Sequence, residues 1–263
     1  MNIKEAKMLR WAVLFLLIVV NASANAQDIG KYFHPVKTNV SNTDKDGFIR
    51  RWRLLEPLDK PIRSNAGFTD TYLREVFSKQ YFKGQMTAIP RDGQKMKAVH
   101  TEMELPSRSF RGPAPTDANG KPLEPKEVTK KETLKWHELE SENYNVKLFR
   151  FGEAYGNRLY GVLYWAVTLI ECDTYMEDVR LAVGSNSASI WWLNGEEVLL
   201  MSGDRRMVVD DCVSKRLTLK KGINVLRGSV VNGPGMSDFC VRFLDANGKP
   251  LNQLKIKKNR RKT

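Results

Sequence analysis

The sequence predicts a mostly β protein, an antiparallel β-sandwich with one packed helix, and three observations carry that expectation. Between residues 164 and 243, short runs rich in β-branched and aromatic residues follow one another at 165–170, 179–183, 188–193, 217–219, 224–231 and 239–243. Turn signals part them: Asn194-Gly195, Lys221-Gly222 and Asn232-Gly233-Pro234-Gly235, where Asn and Gly tolerate the positive φ that tight hairpins require. Of the 263 residues, 41% are apolar, enough to fill the core of one large all-β domain.

Taken in order, the first 26 residues read as a secretory leader. Lys4, Lys7 and Arg10 precede an apolar run at 11–20, and Ala24-Asn25-Ala26 supplies small residues before a cleavage point ahead of Gln27. That run is shorter than the roughly 20 residues a spanning helix needs, and no later stretch is longer, so the expectation is an exported chain with no membrane span, periplasmic or extracellular. Residues 27–42 show no periodicity and are expected as coil. Asn42-Thr43-Asp44-Lys45-Asp46-Gly47 begins like a calcium loop, but Arg53 stands where the closing Glu belongs. The segment reads as a plain turn, no cofactor is expected, and a structural calcium helped by distant residues is the unsupported alternative.

Residues 48–55 form a strand that Glu56-Pro57 should end, because proline donates nothing to a ladder. The one predicted helix spans 69–82: Thr69 or Asp70 caps it, and Leu73, Val76, Phe77, Gln80 and Tyr81 share one side. It should lie across the sandwich as a lid. Residues 96–103 suggest a strand, and 101–132, with Arg111-Gly112-Pro113-Ala114-Pro115 and Asn119-Gly120-Lys121-Pro122, suggest an inserted loop. The alternation of 144–151 predicts a further strand. The chain therefore divides into a leader at 1–26, one sandwich domain at 27–250 and a basic tail at 251–263.

The net charge is +13, and Lys4, Lys7 and Arg10 against Glu5 put two of these charges in the leader. Six of the eight residues from Lys255 to Lys262 are basic. Such a segment attracts polyanions, and in an exported chain acidic glycans or an anionic surface suit it better than nucleic acid; a solvated tail without a partner is the alternative. Cys172, Cys212 and Cys240 match no metal spacing, and their odd number leaves at least one thiol unpaired. They read as buried small hydrophobes, or as one disulfide and one thiol.

Catalytic signatures are absent from the sequence. It has no Gly-x-Ser-x-Gly, no His-Glu-x-x-His, no phosphate-cradling glycine loop and no Cys-x-x-Cys. His34, His100 and His137 all lie outside the strand-rich stretch, so a Ser-His-Asp triad would need distant pairing. Adjacent carboxylates such as Asp210-Asp211 point to opposite faces of a strand and make no acid/base pair alone. Binding has better support. Trp191 and Trp192 are neighbours in a strand, so one side chain points outward; that ring, or Tyr155, offers a face for a sugar to stack on, unless the helix or the inserted loop covers it. Asn157, Arg205, Asn232 and Asp238 sit in turns where polar groups can orient such a ligand.

The phrases Trp191-Trp192-Leu193-Asn194-Gly195 and Leu219-Lys220-Lys221-Gly222-Ile223-Asn224, with Phe33-His34-Pro35-Val36, Asp46-Gly47-Phe48-Ile49-Arg50-Arg51-Trp52 and Trp136-His137 upstream, resemble the accessory β-sandwich of Bacteroidota acetylxylan esterases. More broadly they are similar to galactose-binding-like jelly rolls. The resemblance spans most of 30–245 and implies a jelly roll that serves the breakdown of plant cell-wall polysaccharide, with acetylated xylan as substrate of a partner esterase or glycoside hydrolase. In those esterases a separate hydrolase domain does the chemistry, and no counterpart is recognisable here. The expectation is a non-catalytic carbohydrate-binding module, with a docking scaffold and an esterase as alternatives.

Overall fold

The computed structural model describes residues 29–59, 69–104, 116–123, 126–156, 159–232 and 235–258; the expected leader and Asn157 lie outside them. The described residues form an antiparallel sandwich. Its strands are β1 (Phe33–Pro35), β2 (Val40–Asn42), β3 (Arg51–Asp59), β4 (Lys95–Glu104), β5 (Lys126–Ser141), β6 (Val162–Cys172), β7 (Met176–Ser185), β8 (Ala188–Leu193), β9 (Glu196–Met201), β10 (Cys212–Val213), β11 (Leu217–Leu219), β12 (Gly222–Asn232), β13 (Phe239–Leu244) and β14 (Lys255–Lys257). Two helices accompany them, α1 (Asp70–Ser78) and α2 (Leu148–Tyr155). The larger sheet runs β1-β5-β3-β6-β12-β8-β9, with β4 paired to β5 and β14 paired to both β2 and β6. The smaller sheet centres on β7, which pairs β10, β11 and β13.

Alternation along the strands feeds two cores. Between the sheets lie Trp52, Tyr164, Trp191, Leu181, Phe239 and Phe243. On the outer face of the larger sheet, Leu55, Trp165, Val167 and Trp192 pack beneath α1. Trp191 and Trp192 do point to opposite faces, yet neither is exposed: Trp191 stands edge-on to Trp52 and Phe239, and Trp192 stacks on Trp165 at 5.6 Å with Phe77 of α1 edge-on at 6.0 Å. Trp191 lies flat on Gly228, where an added Cβ would come within 2.3 Å of the ring. The expected lid is real and covers Trp192, whereas Trp191, the ring expected to take a sugar, is buried between the sheets.

α1 is shorter than its periodicity suggested. Thr69 caps it by accepting from the Tyr72 N–H at 3.3 Å, but the chain turns extended at Lys79, and the Tyr81 hydroxyl donates to the Val76 carbonyl at 2.8 Å. The Val76 carbonyl thus accepts from Tyr81 as well as from the Lys79 N–H at 3.4 Å, which closes the helix end.

Four other segments differ from expectation. β3 continues through Pro57, because its pairing with β5 ends at Leu55 and its register with β6 shifts between Leu55 and Leu58, so proline falls where no ladder donor is needed. The strand suggested at 96–103 is present, and residues 104 and 126–132, expected as loop, extend it into the β4–β5 hairpin, paired from Lys95↔Lys135 to Glu104↔Lys126. Residues 144–151 are not a strand: Val146 makes one bridge to Phe239, and α2 then buries Leu148, Phe151 and Gly152 on one face. The segment 27–42, expected as coil, contains β1 and β2.

The basic tail is not solvated as far as Lys258. In β14, Ile256 is buried in the inter-sheet core, and Lys257 is buried with its ammonium 3.3 Å from Glu171. This strand closes over a buried ionic row on the outer face of the larger sheet. Arg53 pairs with Glu138 at 2.8 Å and donates to the Lys258 carbonyl; Arg51 donates to the Ile256 carbonyl at 3.3 Å and to Thr38 Oγ1 at 2.9 Å. Buried guanidiniums need such acceptors, and here the C-terminal segment supplies them. Cys172, Cys212 and Cys240 are free thiols, the first and last buried. At 44–47 the Asp44 carboxylate accepts from the N–H groups of Asp46 and Phe48 at 3.0 and 2.8 Å, an Asx-type turn closed by Gly47 at φ +84°.

Candidate functional site: two clefts flanking an exposed tyrosine

One end of the sandwich gathers the β6–β7 turn, the β8–β9 turn, the β11–β12 turn and the chain entering β14. Between the sheets at this end opens a cleft of about 470 Å³, with Leu193, Val198 and Leu217 among its apolar lining and Glu177, Asp178 and Arg216 among its polar lining. Two bulges shape it. In β7, Val179 pairs Leu217 while Met176 pairs Leu219, so the extra residue pushes Glu177 and Asp178 out of register. Asp178 takes φ +57°, a left-handed conformation that Asp tolerates better than most residues. In β9, Leu199 pairs Trp191 and Glu197 pairs Trp192, which leaves Val198 unopposed and part of the cleft wall. Bulges re-aim side chains, and these two, on strands of different sheets, aim at one space.

Asn224 fixes the back of the cleft. Its side chain, fully buried, accepts from Asn194 Nδ2 and from the Lys220 N–H, both at 2.9 Å, and donates to the Lys220 carbonyl at 2.7 Å. Asn194 in turn accepts from the Val225 N–H at 2.9 Å. With Asn194 at φ +55° and Gly195 at +94°, the predicted hairpin turn is present and tied to the neighbouring one. Asp178 and Arg216 face each other across the rim at 3.4 Å.

On the other side of the β6–β7 turn lies a second cleft of about 360 Å³, lined in part by Asp173, Thr174, Met176, Asn252 and Gln253. Lys255 pairs with Asp173 there at 2.6 Å. Cys172 also borders it, and burial, ahead of Asp173 and Glu171, pushes its thiol up to about 11, so it stands neutral and poorly nucleophilic. Tyr175, between Thr174 and Met176, is 66% exposed. It lines neither cleft itself, but its neighbours Thr174 and Met176 line the second and Glu177 lines the first. The chemistry on offer is that of binding: apolar floor, hydrogen-bonding rim, aromatic platform.

No family model matches the chain, and no curated protein does. Among solved structures it is similar to the PA14 sugar-binding domain from an RTX adhesin, at 12% identity over 35% of this chain and 51% of that one, with a TM-score of 0.30. It is similar also to a β-glucosidase from Kluyveromyces marxianus in complex with glucose, at 15% identity over 57% and 16% with a TM-score of 0.29. A third is an α-xylosidase from Xanthomonas citri, at 11% identity over 87% and 26% with a TM-score of 0.26. The chain spans about half the length of the first of these and less of the others, and none of the three is an acetylxylan esterase.

The described residues among those singled out in the sequence are not in the lining of either cleft. Trp191 is fully buried in the inter-sheet core. Tyr155 stacks on His137 at 3.9 Å, and His137 in turn bonds Glu56 at 2.8 Å; burial, then Asp92 and Glu56, raises the Tyr155 hydroxyl. Arg205 pairs with Asp211 at 2.7 Å. Asn232, fully buried, donates to the Leu159 carbonyl at 2.7 Å. Asp238 accepts from Lys147 at 2.6 Å and from Asn145 at 3.2 Å, and burial raises its carboxyl. The β7–β8 turn brings Asp238 and Arg205 together through backbone bonds from Asn186 and Ser187, but at the end of β7 away from the clefts. Tyr175 was missed. Its signal was an aromatic ring inside the polar turn Asp173-Thr174-Tyr175, where no strand periodicity requires one.

Proposed function

We propose that this chain is an exported, non-catalytic carbohydrate-binding β-sandwich that holds plant cell-wall polysaccharide of the acetylated-xylan type for a partner hydrolase. The observation that carries the reading is Tyr175, two-thirds exposed in a turn whose flanking residues line two clefts. Pyranose rings present C–H groups to an aromatic face, and a solvent-facing Tyr beside hydrogen-bonding rims has the parts such a contact needs. Cleft-one residues Glu177 and Glu196 and cleft-two residues Asn252 and Gln253 supply acceptors and donors for ring hydroxyls. The test is affinity electrophoresis of the purified protein in gels containing native xylan, deacetylated xylan, pectin or a neutral glucan, beside the Tyr175→Ala variant. Retardation by a neutral glycan that survives added salt and weakens in the variant supports the reading. Retardation only by pectin, lost with salt, overturns it, because exposed charge alone then explains the binding. Acetate released from acetylated xylan by the purified chain would overturn the non-catalytic part.

A further inference from the structure

We infer that the site, if it binds carbohydrate as proposed above, takes an internal segment of a neutral chain, which enters by one cleft, crosses Tyr175 and leaves by the other. A site for a chain end is a blind pocket; here one exposed turn borders two clefts, with Thr174 and Met176 in the second and Glu177 in the first. The register of β7 produces this arrangement. Met176 lines the second cleft and Glu177 the first, and the bulge adds Asp178 to the first. Tyr175 immediately precedes the point at which the chain passes from the one cleft to the other.

The charges of the rims choose the ligand. In the first cleft, Glu177, Asp178 and Glu196 face Arg216 and Lys220, and in the second Lys255 is paired with Asp173. The Asp178–Arg216, Asp173–Lys255 and Glu171–Lys257 pairs cancel their own charges, which leaves an acidic remainder from Glu177 and Glu196 against Lys220. A polyuronate would meet repulsion there, whereas carboxylates and amides accept and donate well to neutral hydroxyls. The second cleft adds the amides of Asn252 and Gln253, which suit a neutral chain equally.

The inference is tested by titration calorimetry of the full chain with linear β-1,4-xylo-oligosaccharides from one to six units, and with oligogalacturonate of matched length. Affinity is expected to rise by about tenfold or more from the disaccharide to the six-unit chain, as contacts in the second cleft add to those in the first. Glu196→Gln and Gln253→Ala, one exposed residue in each cleft, should each weaken the six-unit chain by roughly threefold or more. At least one of the two should leave the disaccharide unchanged, and oligogalacturonate should bind more weakly than its neutral counterpart. Affinity that is flat with length but lost in Tyr175→Ala overturns the spanning geometry and leaves carbohydrate binding standing. Tighter binding of the uronate overturns the neutral assignment. Failure of the folded protein to bind any of these oligosaccharides, together with unretarded migration in all the polysaccharide gels, overturns both this inference and the function on which it rests.

Discussion

Asn224 contacts no proposed ligand, yet it holds two turns of the candidate site in register. Its replacement by Ala leaves Asn194 Nδ2 and the Lys220 backbone without those partners, so Asn224→Ala should cost about 1–3 kcal/mol in denaturant unfolding and weaken glycan binding as well. Gly228 is constrained from the opposite direction. A methyl group there collides with the Trp191 ring in a packed core, so Gly228→Ala should lose about 1–3 kcal/mol without altering any exposed surface. Titration gives a third outcome. Burial, outweighing Glu56, holds His137 below 6.5, so as the pH falls through 6.5 the unfolded chain gains a proton that the folded one refuses. Stability should therefore be full above 6.5 and decline below it, and His137→Gln should flatten that limb in pH-dependent melts. Glu138 and Asp238 act in the other sense. Burial raises both carboxyls above their ordinary 4.5 and 3.8, so their ionisation costs stability as the pH rises through that range.

At the scale of elements, β14 carries the clearest consequence. Removing residues from Lys255 onward takes away the Ile256 and Lys258 carbonyls that Arg51 and Arg53 use and uncovers the row they form with Glu138. That truncation should destabilise the fold by roughly 3–5 kcal/mol, the scale of breaking a buried ionic arrangement. Charge hid this strand in the sequence: Lys255-Ile256-Lys257 is an alternating triplet, but only Ile256 is apolar, and a basic run reads as solvated until the partners at Asn42 and Ile170 are known. The segment at 144–151 failed for a different reason. Tyr144, Val146 and Leu148 alternate, while Leu148, Phe151, Gly152 and Tyr155 fall at helical spacing, so both periods are present. Packing of Leu148 and Phe151 between the sheets decided for the helix from Leu148.

For the molecule as a whole, the strands between 164 and 243 were legible because they are short runs rich in β-branched and aromatic residues and their turns carry Asn and Gly. What alternation does not show is what covers each face. Trp192 is hidden by Phe77, more than a hundred residues earlier in the chain, and Trp191 by a second sheet. The candidate residues were chosen by chemical type, and long-range partners had already engaged them; the exposed aromatic lay at the opposite end of β7. Closure of the larger sheet by β14 also sets an order of events. A chain made from its N-terminus presents Arg51 205 residues before the Ile256 carbonyl that it needs, and among the described residues β2 pairs in the larger sheet with β14 alone. During synthesis the row Arg51–Arg53–Glu138 therefore stays open to solvent, and the nascent chain stays sensitive to protease around β2 until residue 258 has emerged. Ribosome-stalled chains ending just before Lys255 and well beyond Lys258 should differ sharply in that sensitivity, which makes the last strand the latch that turns a pliable polypeptide into a finished protein.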